Sequence, residues 1–130
     1  MLTTALKRIL YVEDETDIQT IVKLSLETIG NYELKVCSSG KEALAEAQNF
    51  KPDLFLLDVM MPEMDGPATL KELRKIPELK NIPAVFITAK AQVHEVSSYK
   101  EFGVLDIIVK PFDPVQLPLT LKAIWEAKDA

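Results

Sequence analysis

Four sets of reactive side chains in this sequence each follow or close an apolar run. Glu13 and Asp14 follow Ile9-Leu10-Tyr11-Val12, and Asp58 follows Leu54-Phe55-Leu56-Leu57. Thr88 closes Ala84-Val85-Phe86-Ile87, and Lys110 follows Ile107-Ile108-Val109. Three carboxylates gathered in one place repel and raise one another's pKa values. A hard divalent cation relieves that repulsion, and Mg2+ favours a few carboxylates, water and a phosphate oxygen. A threonine hydroxyl can donate to a phosphoryl oxygen, and a lysine adds a mobile positive charge. Together these parts suit phosphoryl transfer, where positioning and charge neutralisation supply most of the catalysis. Asp58 is the expected nucleophile, through an aspartyl-phosphate. Glu13, Asp14 and Asp58 are the expected metal ligands, with the backbone carbonyl of Met60 as a further one.

Such a site needs a fold that carries distant strand ends to one edge. Strand-like and helix-like patterns alternate along the whole chain. Residues 8–12 read as a first strand. Residues 15–29 read as a helix with Ile18, Ile21, Val22, Leu26 and Ile29 on one face and Gly30 as its stop. Residues 32–36 alternate Tyr32, Leu34 and Val36 against Glu33 and Lys35, the pattern of a half-exposed edge strand. Ser39-Gly40-Lys41-Glu42 has capping-box spacing and opens a helix to about residue 49.

The apolar run at 53–57 has no polar face, so it is a buried strand. A helix over 64–76 follows, with Gly66 and Pro67 in its first turn, where proline is tolerated. Residues 84–88 form a fourth strand, 92–102 a weaker helix ending at Gly103, and 105–109 a fifth strand. The last helix runs from Asp113-Pro114 to about residue 128. Pro118 lies too deep in that span, which predicts an irregular first turn or a restart there. Five βα units without long gaps predict an α/β fold: a five-stranded parallel sheet flanked by five helices, doubly wound in the flavodoxin-like manner. In such sheets ligands bind beyond the carboxyl ends of the strands, where all the reactive groups fall.

The chain has 130 residues, which suits a single domain over 1–130. Its formal net charge of −5 argues against direct nucleic-acid binding, which needs a basic face. No apolar run approaches a membrane span, and the N-terminus lacks a signal-peptide core. Cys37 is alone, so neither a disulfide framework nor a thiolate cluster is expected, and a reducing, cytoplasmic setting is the simplest.

With the elements in place, the chain resembles the receiver domain of two-component response regulators from about residue 8 to 127. The motifs that carry the resemblance are Val12-Glu13-Asp14-Glu15, Leu57-Asp58-Val59-Met60-Met61-Pro62-Glu63-Met64-Asp65-Gly66, Ile87-Thr88-Ala89-Lys90 and Val109-Lys110-Pro111-Phe112. Each is weak alone; four in order on the right elements are specific. The resemblance implies that Asp58 takes a phosphoryl group from a histidine kinase or histidine phosphotransfer protein, with Mg2+ required. It implies that Thr88 moves toward the phosphate and that Lys110 pairs with the phosphorylated side chain. It also implies a cis peptide at Lys110-Pro111. The family's usual output face joins the fourth helix, fifth strand and fifth helix, and here includes Val96, Tyr99 and Ile107. Receivers commonly carry Tyr or Phe at the position of Ile107 as a rotamer switch. A β-branched side chain has few χ1 states and no ring to swing, so the expected conformational change is either smaller or carried mainly by the Thr88 loop and the fourth helix.

Singly, these residues have plainer readings. Asp58 could cap a turn, Glu13-Asp14 could cap the first helix, and Thr88 and Lys110 could simply end strands. His94 reads as a solvated helix residue and Cys37 as a packed, quiet thiol. An Mg2+-dependent phosphatase of similar architecture is the competing enzyme class. Haloacid-dehalogenase-type phosphatases carry a second acid two residues after the nucleophile, where this chain has Met60. A phosphorylation-independent binding module is a further alternative, although every expected acid is present. A dinucleotide site is disfavoured because no Gly-rich loop follows the first strand. The expected role is a phosphoacceptor, not an enzyme on a separate substrate, with output by contact with a downstream protein and no output domain within 1–130.

Overall fold

A computed structural model of the chain describes residues 4–89 and 93–128, without the side chains of 93–96. Lys90, Gln92 and the side chains of His94 and Val96 therefore lie outside the described residues.

Five strands, β1 (Arg8–Val12), β2 (Glu33–Cys37), β3 (Leu54–Asp58), β4 (Ala84–Thr88) and β5 (Asp106–Val109), form one parallel sheet in the order β2-β1-β3-β4-β5. The helices are α1 (Thr16–Lys23), α2 (Gly40–Phe50), α3 (Gly66–Leu73), α4 (Val93–Lys100) and α5 (Leu117–Ala127). Strand alternation sorts the apolar residues into two cores. Leu10, Val12, Phe55, Leu57 and Phe86 meet Ala43, Ala47, Leu70 and Leu73 on one face. Ile9, Tyr11, Leu54, Leu56, Val85 and Ile87 meet Val22, Leu26, Leu121 and Trp125 on the other. β3 and β4 are buried at every position because both faces are covered. β2 lies at the sheet edge and is largely half-exposed.

Local chemistry accounts for the element ends. The Ser39 hydroxyl accepts from the Glu42 amide at 3.1 Å, and the Glu42 carboxylate accepts from the Ser38 amide at 3.2 Å. Asp65 caps α3 by accepting from the Ala68 amide at 2.8 Å. The last helix begins at Leu117, not at Asp113-Pro114, and Pro118 therefore sits in its first turn, where proline is tolerated. Before it, Asp113 forms a turn of its own, its side chain accepting from the Val115 amide at 2.9 Å.

Two further sequence expectations need correction. The first helix is not α-helical through residue 29: it passes into a π-helical segment, Leu24–Ile29, closed by the Gly30 amide donating to the Ser25 carbonyl at 2.9 Å. The wider turn changes the phase of the helix beyond residue 24, and Ile29 emerges 49% exposed; Ile21, earlier in α1, is 44% exposed and not on the buried face. The helix stops at Gly30 as expected, and the left-handed residue of the reversal is the next one, Asn31 (φ 61°). The third helix is shorter than 64–76, since Met64 precedes the Asp65 cap and a separate 3-10 turn, Pro77–Leu79, follows.

Candidate functional site

The carboxyl edge of the sheet brings the sequence-predicted residues together from four strands. Asp58 ends β3 and is 2% exposed, and Thr88 ends β4 with no exposed surface. Glu13 follows β1, and Lys110 follows β5. Ladder-like bonds continue past the strands and hold these ends in register. The Glu13 amide donates to the Cys37 carbonyl at 3.0 Å, the Val59 amide to Ile87 at 2.9 Å, and the Lys110 amide to Thr88 at 2.8 Å.

Glu13, Asp14 and Asp58 each offer a carboxylate oxygen, and these oxygens lie within 4.8 Å of one another. Lys110 Nζ stands 2.9 Å from Glu13 Oε1 and 3.4 Å from Asp58 Oδ1. The Met60 amide lies 3.4 Å from Asp58 Oδ1. Asp14 Oδ1 is buried with no hydrogen-bond partner among the described residues. A buried carboxylate oxygen without a donor is costly, and a hard cation among three carboxylates removes that cost. The donor set therefore fits Mg2+, which takes oxygen ligands.

Electrostatics follow from burial and crowding. Burial first, and then the hydrogen bond and charge of Glu13, push Asp58 up to about 7, with Lys110 opposing. Burial works against ionised Glu13 too, but hydrogen bonds from protonated Asp58 and from Lys110 outweigh it and hold Glu13 below its usual range. Burial disfavours the Lys110 ammonium, yet its bonds and attraction to Glu13 and Asp58 raise its pKa. These opposed shifts favour a proton on Asp58 over one on Glu13. The Cys37 thiol takes no part. It is fully buried, and burial pushes its pKa up to about 12.

Two contributors escaped the sequence reading. The Tyr11 hydroxyl donates to Glu13 Oε1 at 3.1 Å from a fully buried position on β1. Burial, reinforced by the charge of Glu13, keeps that phenol protonated. A tyrosine inside an otherwise aliphatic strand needs a hydroxyl partner, and strand alternation already put Glu13 on the same face. Ser25 in the π segment donates to the Pro114 carbonyl at 2.5 Å, tying α1 to the loop after Lys110. The Lys110-Pro111 peptide is cis.

On the face expected from the sequence to carry output, Ile107 pairs opposite Phe86 across β4 and β5 and is half-buried. Tyr99 of α4 sets its ring edge-on to Phe86, with centroids 5.9 Å apart. Val96 shares α4, but its side chain is outside the described residues.

Comparisons with known proteins agree with this geometry. Residues 9–122 match the family model for the response regulator receiver domain. The alkaline phosphatase synthesis transcriptional regulatory protein PhoP of Bacillus subtilis is 39% identical over 118 residues, 91% of this chain and 48% of that protein. The probable transcriptional regulator ycf27 of Cyanophora paradoxa is also 39% identical over 118 residues, with the same coverage of 91% and 48%. The chain thus spans about half the length of the curated relatives it matches. Chemotaxis protein CheY4 of Vibrio cholerae superposes with a TM-score of 0.84 at 32% identity, covering 92% of this chain and 99% of that one.

Proposed function

Since this chain belongs to the response regulator receiver family, we propose that Asp58 is the side chain on which it carries a phosphoryl group. The observation that carries this is the convergence on Asp58 of two further acids and a lysine from separate strand ends. A carboxylate oxygen of Asp58 attacks the phosphorus of a phosphohistidine on a histidine kinase or phosphotransfer protein. The phosphorus–nitrogen bond breaks, and the imidazole leaves with its electron pair and gains a proton from solvent. Lys110 Nζ, already 3.4 Å from Asp58 Oδ1, shifts onto a phosphoryl oxygen. The Thr88 hydroxyl donates to another.

Glu13, Asp14 and Asp58 would hold Mg2+, with the Met60 carbonyl as an added ligand. Bound there, the ion would keep the acids ionised and draw charge from the phosphoryl oxygens. Orphaned Asp14 Oδ1 supports this reading.

Turnover, on this reading, is confined to the chain's own phosphoryl group. Residues 1–130 are taken as one receiver domain acting in the cytoplasm. No helix among the described residues is long and apolar enough to cross a membrane. Output runs through protein–protein contact at α4, β5 and α5, with Val96, Tyr99 and Ile107 on that face, and not through direct DNA contact by this domain. The phosphatase reading gains no support at position 60, where a half-exposed methionine stands in place of an acid.

The test is intact mass after incubation with Mg2+ and a small-molecule phosphodonor. One added phosphoryl group is expected, absent in Asp58→Asn and absent without the metal. No modification by any donor would sink the assignment, and a modified Asp58→Asn variant would move the site elsewhere.

A further inference from the structure

Glu13 is pinned by three donors of different kinds. Its Oε1 accepts the Tyr11 hydroxyl at 3.1 Å and the Lys110 ammonium at 2.9 Å, while the Glu15 amide approaches Oε2 at 3.3 Å. Glutamate has one more side-chain torsion than aspartate, so a metal-facing glutamate needs more restraint to keep one geometry. The two donors on Oε1 differ in permanence. Lys110 stands on the loop beyond β5 and is partly exposed. Tyr11 is on β1, an inner strand of the sheet, fully buried, with Ile9, Leu56 and Val85 in the same core.

We infer that Tyr11 is a positioning residue, a fixed hydrogen-bond donor that keeps Glu13 oriented toward the cation whether or not Lys110 stays beside it. This rests on the reading of the acidic cluster as a Mg2+ site. The phenol would act only through Glu13. Its bond engages Oε1, while Oε2 meets the Glu15 amide at 3.3 Å, and the carboxylate so held would be a ligand for the ion. Partners that orient metal ligands typically change affinity by tenfold or more when removed.

Tyr11→Phe deletes the hydroxyl and keeps the ring in the core. Titrating the purified chain with Mg2+ by calorimetry, and with Mn2+ by electron paramagnetic resonance, is expected to give a Kd raised about tenfold. In a Glu13→Ala background the same change should leave the Kd unaltered, because the hydroxyl then has no ligand to orient. An unchanged Kd for Tyr11→Phe alone, with or without a lower melting temperature, would overturn the proposal by making the phenol merely structural. A loss that persists without Glu13 would overturn it as well. A wild-type chain that binds neither ion would instead overturn the reading of the cluster beneath it.

Discussion

Gly66 packs so closely on Asp58 that a Cβ at position 66 would stand 2.5 Å from the Asp58 carbonyl oxygen and 3.0 Å from the Cα of Val59. The Gly66 amide also donates to the Val59 carbonyl at 3.0 Å. The start of α3 is thereby pressed against the peptide that carries the proposed phosphoacceptor. The colliding atoms are backbone, with no flexible side chain to yield.

Gly66→Ala is therefore expected to push the Asp58–Val59 segment and α3 apart. Overpacking of this kind costs about 1–3 kcal/mol, read as a lower denaturation midpoint. Phosphorylation with a small-molecule donor should slow as well, since Asp58 shifts relative to Lys110. Wild-type stability and wild-type rate together would show that α3 can retreat freely, and that the tight packing does not position Asp58.

The charge balance of the cluster predicts an inverted pH profile for the metal-free protein. Asp58, pushed up to about 7 by burial and then by Glu13, titrates near 4 when unfolded. The folded state thus binds this proton more tightly. Its contribution to stability is complete below about pH 4 and is lost as pH rises toward and through 7. Glu13, held below its ordinary value, acts oppositely and loses its contribution only as acid protonates it. In chelator, the melting temperature should fall between pH 5 and 8, and Mg2+ should reverse most of that fall. Asp58→Asn should flatten the profile and melt higher than wild type at pH 8. Parallel profiles for the two proteins would mean that some other group sets the pH dependence.

Much of the site was legible because its parts are local. Apolar runs closed by Glu13, Asp58, Thr88 and Lys110 identify strand and strand end at once, and a parallel sheet forces those ends to one edge. The missing parts depend on distant partners. Ser25 reaches Pro114 across 89 positions in the chain, and the π segment that holds it has no periodic signature of its own. The Gly66 contact depends on how α3 approaches β3, which the glycine-proline pair does not encode. Tyr11 was the nearest miss. It was placed in the strand as one more apolar residue, although its buried hydroxyl needed a partner.

The last prediction concerns how a change at the site reaches α4 with Ile107 in the usual place of an aromatic. Phe86 lies two residues before Thr88 on β4, so both side chains point to the same face of the sheet. Tyr99 meets Phe86 at an interplanar angle of 89°, and Ile107 sits opposite Phe86 across the β4–β5 pair. A displacement of Thr88 would thus reach α4 through Phe86 and the Tyr99 ring without any swing at position 107. Tyr99→Leu keeps apolar bulk but loses the edge-to-face pair, at a cost of roughly 0.5–1.5 kcal/mol. Hydrogen exchange across α4, measured with and without the phosphoryl group, is expected to change on phosphorylation of the wild type and much less in Tyr99→Leu. Ile107→Val, which alters only a methyl group, should retain the wild-type response. If Tyr99→Leu responds as fully as wild type, the signal leaves Thr88 by a path that bypasses this aromatic pair.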